Sequence, residues 1–417
     1  MIKNFIGLLV IFISIQSFGQ RNNISPYSFY GIGDETAQKT VEEISMGQIG
    51  AAFNSTYKLT FSNPASLGSL RFTTYTLAVE NKTLSVDDGN NSESASAASF
   101  SYIAIGIPLG QKAGLLFGIQ PNTSVGYSLL EEIKDGDTLT ELNLFSGEGG
   151  TDRVFVGFGY NLTKNFSIGL EGAYVFGSIE NNLLNRRDDV QLATMHKTDS
   201  ELNGVTAKAG VQYNVKITDK LTLNTGGVVN FSNELTNKGE EHLFSLISTD
   251  EDFIVPRDTI FSDSFENTIK NPLRTTLSAG VGENNKWYAG IEYSFQNALN
   301  IDDINTLVTY NNSNRISFGG FYTPKFNSIT NYWQRVTYRG GFNYKQTGLV
   351  VNNTAINDFG ISFGVGLPIG QQLSNINLGF EFGKRGEIGN ELIKENYINF
   401  RLSLTLNDRW FKKRKLQ

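Results

Sequence analysis

The side chains that carry most catalysis and metal binding are scarce in this sequence of 417 residues, which has no cysteine and two histidines. The missing thiol removes disulfides, thiolate metal sites, cysteine nucleophiles and a lipidated N-terminal cysteine. His196 and His242 are expected in long loops, without the clustered nitrogen, sulfur or carboxylate partners that zinc requires. Gly147-Glu148-Gly149-Gly150 lacks the Lys-Ser/Thr of a phosphate loop and no strand–helix pattern surrounds it. The acidic pairs Glu131-Glu132 and Asp188-Asp189 read as solvated charges, as does the run from Thr249 to Phe253, whose other use would be weak calcium binding. The sequence therefore predicts no enzyme, no metal and no cofactor. Thirty-five basic residues against 41 acidic ones give a charge of -6 with no long basic tract, which excludes a nucleic-acid partner.

What remains is the framework. Lys3, the apolar run Phe5–Ile13 and the small residues around Ser17 and Gly19 have the order of a secretory signal peptide, cut before Gln20. The run is too short to span a bilayer as a helix, and no later stretch approaches that length. An exported chain of this kind, with 43 Gly, 30 Phe and 17 Tyr, is a secreted β-protein or an outer-membrane barrel.

From about residue 71 the chain alternates. Phe166, Ile168, Leu170, Tyr174 and Phe176 fall on one face of a strand, and Ser167, Gly169, Glu171, Ala173 and Val175 on the other. The pattern recurs fourteen times, in segments beginning near Arg71, Ala97, Lys112, Asp152, Asn165, Glu201, Lys220, Thr268, Lys286, Ser313, Trp333, Asn357, Leu373 and Glu395. Tight connections such as Pro108–Gln111, Asn161–Lys164 and Thr218–Asp219 alternate with long polar ones at about 86–96, 129–151, 180–200, 233–267, 298–312, 348–356 and 385–394. Short turns on one rim and long loops on the other are the mark of a transmembrane barrel, with both termini at the periplasmic, short-turn side. A β-protein in lipid must close on itself to satisfy its backbone.

The inward face then carries Gly, Ser, Thr, Asn and Gln, together with Glu80, Arg153, Glu171, Lys208, Arg274, Glu292, Arg335, Arg339, Glu381 and Arg401. Turned toward lipid at mid-depth, each basic residue would cost roughly 2–4 kcal/mol. Tyr160, Tyr213, Trp287, Tyr344, Trp410 and Phe411 lie near strand ends, where an aromatic girdle belongs.

Residues 20–70 do not alternate. They are rich in glycine, yet Phe29, Tyr30, Ile32, Ile44 and Met46 make them too apolar for a disordered lead-in. A wide polar lumen needs filling, so this segment reads as an internal plug or hatch. The expected organisation is a signal peptide at 1–19, a plug at 20–70, a fourteen-stranded antiparallel all-β barrel at 71–408 and a basic periplasmic tail at 409–417. Lys412 to Arg414 and Lys415 in that tail could meet anionic headgroups or a periplasmic partner.

Three elements carry a resemblance: Met46-Gly47 through Gly50-Ala51-Ala52, then Asn63-Pro64-Ala65 with Leu67, all ahead of fourteen strands. Together they resemble the FadL-like outer-membrane proteins, and the Gly19-Gln20 junction and basic tail look like a Bacteroidetes-type branch. The resemblance implies an N-terminal hatch containing Asn63, Pro64 and Ala65. It also implies a kink in the third strand that opens a side door to the lipid. Pro121, flanked by Gly118 and Gly126, matches that kink, because proline inside a strand marks an edge, a bulge or an early end. Two functions follow. One is passive uptake of a small hydrophobic molecule of fatty-acid or aromatic type. The alternative is a non-transporting scaffold barrel in an outer-membrane protein-assembly or secretion complex, with outer-membrane lipid, lipopolysaccharide and neighbouring proteins as partners. The polar, charged lumen face weighs against a greasy conduit.

Overall fold

A computed structural model describes residues 23–248, 254–299, 308–370, 373–390 and 392–409. The signal segment, the acidic run at 249–253 and the tail from residue 410, with Trp410 and Phe411, lie outside the described residues.

Fourteen antiparallel strands close into a barrel. They are β1 (Thr73–Asp87), β2 (Ser92–Leu109), β3 (Ala113–Asp135), β4 (Thr138–Asn161), β5 (Phe166–Arg187) and β6 (Ala193–Lys216). β7 (Leu221–Asn230, then Asn233–Ser248) and β8 (Ile254–Asn271, then Arg274–Glu283) are each interrupted once. β9 (Trp287–Gln296), β10 (Val308–Tyr310, then Ser313–Tyr322), β11 (Thr337–Val351), β12 (Thr354–Ile369), β13 (Ser374–Arg385) and β14 (Lys394–Asp408) complete the wall. Closure is the ladder between β14 and β1, which runs from Lys394 opposite Asp87 to Asp408 opposite Thr73. Closure leaves the wall almost no free edge, the condition a sheet must meet in hydrocarbon.

Side-chain alternation follows the expected faces. On β5, Ile168, Leu170, Tyr174 and Phe176 are exposed on the outside, while Ser167, Glu171, Ala173 and Val175 are buried inside. The predicted strand number holds, but the predicted loops do not. Segments 129–151, 180–200 and 233–267 are mostly paired strand: β3 and β4 run to a turn at Gly136, and β6 pairs with β7 from Ala193 opposite Leu246 to Gly204 opposite Leu235. Phe244, Leu246 and Phe261 thus lie in a ladder rather than a loop. Beyond the hydrocarbon both faces are wet, so the apolar alternation fades although the backbone ladder continues. Arg335, expected inside, follows a short 3-10 turn (Tyr332–Gln334) and lies ahead of β11, with its guanidinium over the Tyr332 ring. Tyr213 is exposed on the outer face, and Tyr160 and Trp287 are partly buried near the short-turn rim.

Candidate functional site

The lead segment 23–70 is bonded to inward-facing groups on strands all around the wall. Its one α-helix, α1 (Val41–Ile44), is a single turn held by a capping box: the Glu43 N–H donates to Thr40 Oγ1 at 3.2 Å and the Thr40 N–H to Glu43 Oε2 at 2.8 Å. The same Glu43 carboxylate accepts from the N–H groups of Phe61 at 3.1 Å and Ser62 at 3.2 Å. One buried acid therefore folds the segment back on itself.

Asn63, Pro64 and Ala65 open a 3-10 helix (Pro64–Ser69). Asn63 Oδ1 caps it by accepting the Ala65 N–H at 3.0 Å. The Asn63 amide donates to Ala51 O at 2.8 Å and to Val211 O on β6 at 3.0 Å. This turn rests on a floor of glycines. Gly114, Gly159, Gly169 and Gly210 stand in register across β3, β4, β5 and β6. A Cβ on Gly169 would lie 2.3 Å from Ala65 N, and one on Gly210 would lie 2.0 Å from Asn63 Oδ1. A second seat, Gly319 opposite Gly341, takes Met46-Gly47. The sequence motifs are visible by eye, but their floors are not. The usable signal was inward-parity glycine at one height in consecutive strands. Gly169→Val is expected to destabilise the barrel by about 1–3 kcal/mol or more, because its neighbour is backbone that cannot rotate away. Gly172→Val, outward on the same strand with nothing within 4 Å, should be nearly neutral. Thermal unfolding of the two variants in detergent checks this.

Charge fixes the segment elsewhere. Glu292 on β9 accepts Lys39 Nζ at 2.8 Å and the N–H groups of Gly50 and Ala51 at 2.9 Å each, with Arg315 at 3.6 Å. Lys208 bonds Glu171 at 3.0 Å and Phe61 O at 2.7 Å, while Arg153 also pairs with Glu171. Arg401 joins Glu80 and Glu381 at 2.8 Å each. Toward the long-hairpin rim, Arg385 holds Asp34 at 2.8 Å and Glu395 at 2.9 Å, and Glu35 meets Arg274 at 2.6 Å and Lys345 at 3.7 Å. All of these last groups but Glu395 line a cavity of about 280 Å³. Its wall sets Asp34, Glu35, Arg153, Arg274, Lys345 and Arg385 beside apolar side chains such as Ile32, Phe231, Leu235 and Leu349, a higher share of charge than a typical small-molecule pocket carries.

Burial by itself would raise the Glu35 carboxyl, but Arg274 and Lys345 overcome it and hold it down at about 2. Burial likewise pushes the Asp34 carboxyl up, but Arg385 and Lys82 overcome it and hold the group well below the usual carboxylate range. A depressed carboxyl adds stability that is fully present above its unfolded value of 4.5 and is lost as pH falls through its folded value. Thermal stability should therefore be insensitive to Glu35 between pH 8 and 5, as rough bounds, and fall with its protonation only below about 4.5. Glu35→Gln should flatten that acid limb in a pH series of melting temperatures.

The third strand departs from the regular wall. Its ladder with β2 runs from Leu109 opposite Ala113 to Ile103 opposite Ile119, and stops. Gly118 lies within the paired part, and Pro121 stands just past its end, at a bulge against β4 between Pro121 and Thr123. Gly126 is pressed against the backbone of Asn23. The edge that β2 leaves is met from inside by Asp34 and Glu35, which pair antiparallel with Ser124 and Thr123.

Among the described residues no group of three or more His, Cys, Asp or Glu is arranged to hold a metal. Gly360-Ile361-Ser362-Phe363-Gly364 has the spelling of a hydrolase nucleophile elbow, but it lies inside β12 rather than at a strand–helix turn. Ser362 is fully buried, and its Oγ accepts the Gly47 N–H at 2.9 Å.

The sequence model of the BamG family matches residues 1–417. The chain belongs to the BamG family. No curated protein sequence matches it. Among solved structures, this BamG-family barrel is similar to the Pseudomonas putida toluene transporter TodX, with a TM-score of 0.57 and 17% identity over 90% of this chain and 99% of that one. It is also similar to a Pseudomonas aeruginosa FadL homologue, with a TM-score of 0.60 and 12% identity over 89% and 99% of the two chains. The CymD monoaromatic hydrocarbon channel gives 0.58 and 14% over 90% and 99%. At such identities the likeness is one of fold: a fourteen-stranded outer-membrane barrel of the FadL type. The FadL-like resemblance seen in the sequence is thus met at the level of architecture, while the sequence family is BamG.

Proposed function

We propose that this chain is a non-transporting scaffold barrel, an accessory subunit of an outer-membrane assembly that inserts or secretes proteins. In this reading residues 1–19 are removed on export and segment 20–70 acts as a permanent plug. The short turns, both termini and the basic tail at 409–417 face the periplasm, and the long hairpins project outside among lipopolysaccharide and neighbouring proteins. The observation that carries the reading is the way the lumen is occupied: charge-assisted bonds tie the lead segment to β6, β8, β9 and β13, and the space left beside it carries charged side chains among its apolar ones. A greasy solute there would have to lie against charged side chains, and moving the segment aside would strand buried charges. Membership of the BamG family supports the same reading.

One observation favours a second reading, passive uptake of a small hydrophobic molecule of fatty-acid or aromatic type: the β2–β3 ladder ends inside the wall, beside Pro121. A lateral opening there would be framed by Gly118, Pro121 and Gly126. Uptake of a radiolabelled fatty acid and of toluene by cells depleted of the protein separates the two. The scaffold reading expects uptake unchanged and the outer-membrane protein profile altered. Loss of uptake with an unaltered profile overturns it.

A further inference from the structure

We infer that the seam between β2 and β3 receives an extended segment of a partner polypeptide as an added strand. This rests on the scaffold reading and gives it a docking site. β2 pairs with β1 from Ser92 to Gly106, but with β3 only from Ile103 to Leu109. Among the described residues, nothing pairs with Ser92–Tyr102 on the β3 side. β3 in turn pairs with β4 up to Asp135 but leaves its β2-facing edge beyond Ile119 to the lead segment alone. Two free edges therefore flank one seam in an otherwise closed wall.

Each free edge presents alternating N–H and C=O groups, a ready template for another strand. The β3 edge already accepts one. Asp34 and Glu35 pair with Ser124 and Thr123, the Thr36 N–H donates to Asn122 O at 2.9 Å, and the Gly126 N–H donates to Ser28 Oγ at 3.0 Å. The seam's chemistry is thus main-chain pairing, and the lead segment uses only its inner part. From Tyr127 onward no such partner meets β3 on that side among the described residues.

The side chains select the occupant. The outer part of the free stretch of β2 reads Ser92, Glu93, Ser94, Ala95, Ser96, Ala97, Ala98, Ser99, ahead of an exposed Phe100 and a buried Tyr102, and nearly all of that outer part is exposed. Small residues leave room for a neighbouring backbone and form no pocket for a greasy solute. Their polarity is also wrong for acyl chains, which cannot satisfy an open edge. On the β3 side, Leu130 is exposed on the outer face, so the incoming segment should carry an apolar residue on that same face beside it.

Short-reach benzophenone amino acids placed at Ser94 or at Ser96, in the full chain in native outer membranes, test this. The same group at Ile398, which is outward but paired on both sides with β13 and β1, is the control. The expected result is an adduct to one partner polypeptide from 94 and from 96, at partner positions about two residues apart, as strand register requires, and none from 398. Adducts only to lipid, only to a second copy of the chain, or at scattered partner positions, with the partner still co-purifying, overturn the seam and leave the scaffold reading standing. The absence of any co-purifying protein overturns both.

Discussion

Glu292→Ala is expected to lower the stability of the barrel by about 3–5 kcal/mol, the cost of breaking a buried ion pair from one side. The carboxylate is 1% exposed and serves four groups at once: Lys39, Arg315 and the N–H groups of Gly50 and Ala51. Removing it strands two cations and two amide hydrogens in the lumen. The lead segment between Lys39 and Ala51 should then become susceptible to protease in otherwise intact barrels. Glu292→Gln separates charge from geometry, since it keeps an acceptor oxygen for the backbone and should recover part of the loss. Chemical unfolding in detergent micelles, with proteolysis of the folded sample, measures both effects.

Asn63→Ala should cost about 1.5–5 kcal/mol by a different route. The helix cap contributes about 0.5–2 kcal/mol. Each of the two amide hydrogen bonds lost, to Ala51 O and to Val211 O, adds about 0.5–1.5 kcal/mol, with Ala51 O keeping the Gln212 amide at 3.0 Å as a second donor. Gly210 opposite has no side chain to fill the space. Asn63→Asp is the sharper variant: it keeps the cap but replaces the amide donor with an oxygen facing two carbonyls, so it should destabilise despite being the smaller change. Combined with Glu292→Ala, the losses should be less than additive if both residues hold one cooperative unit.

These two residues show what the sequence made legible. The strands could be read because lipid and lumen demand opposite side chains on alternate positions, and Ile168, Leu170 and Glu171 obey that rule without exception. Asn63 was legible as a motif, and Glu292 as an inward acid. Their partners were not, because Lys39, Gly50 and Val211 are brought to them by barrel closure over separations of up to 253 residues. Strand ends were misread where the ladder rises above the hydrocarbon, as at Ala193–Gly204, since water on both faces erases the pattern. Arg335 was misplaced because the turn at Tyr332–Gln334 delays the start of β11. Pro121 stands two residues past the last β2–β3 pair, a place where a residue without an N–H leaves no ladder bond unmade. That the lead segment would meet the abandoned edge depends on a contact between residues about 90 apart, which no local pattern encodes.

The central claim, a filled barrel that works by holding a neighbour rather than by passing a solute, is most directly tested by native mass spectrometry of the protein extracted gently from its own outer membrane, with no ligand added. The account predicts a stoichiometric complex with at least one other protein and no small apolar molecule retained by the barrel. A solitary barrel carrying a bound fatty acid or aromatic hydrocarbon would contradict it.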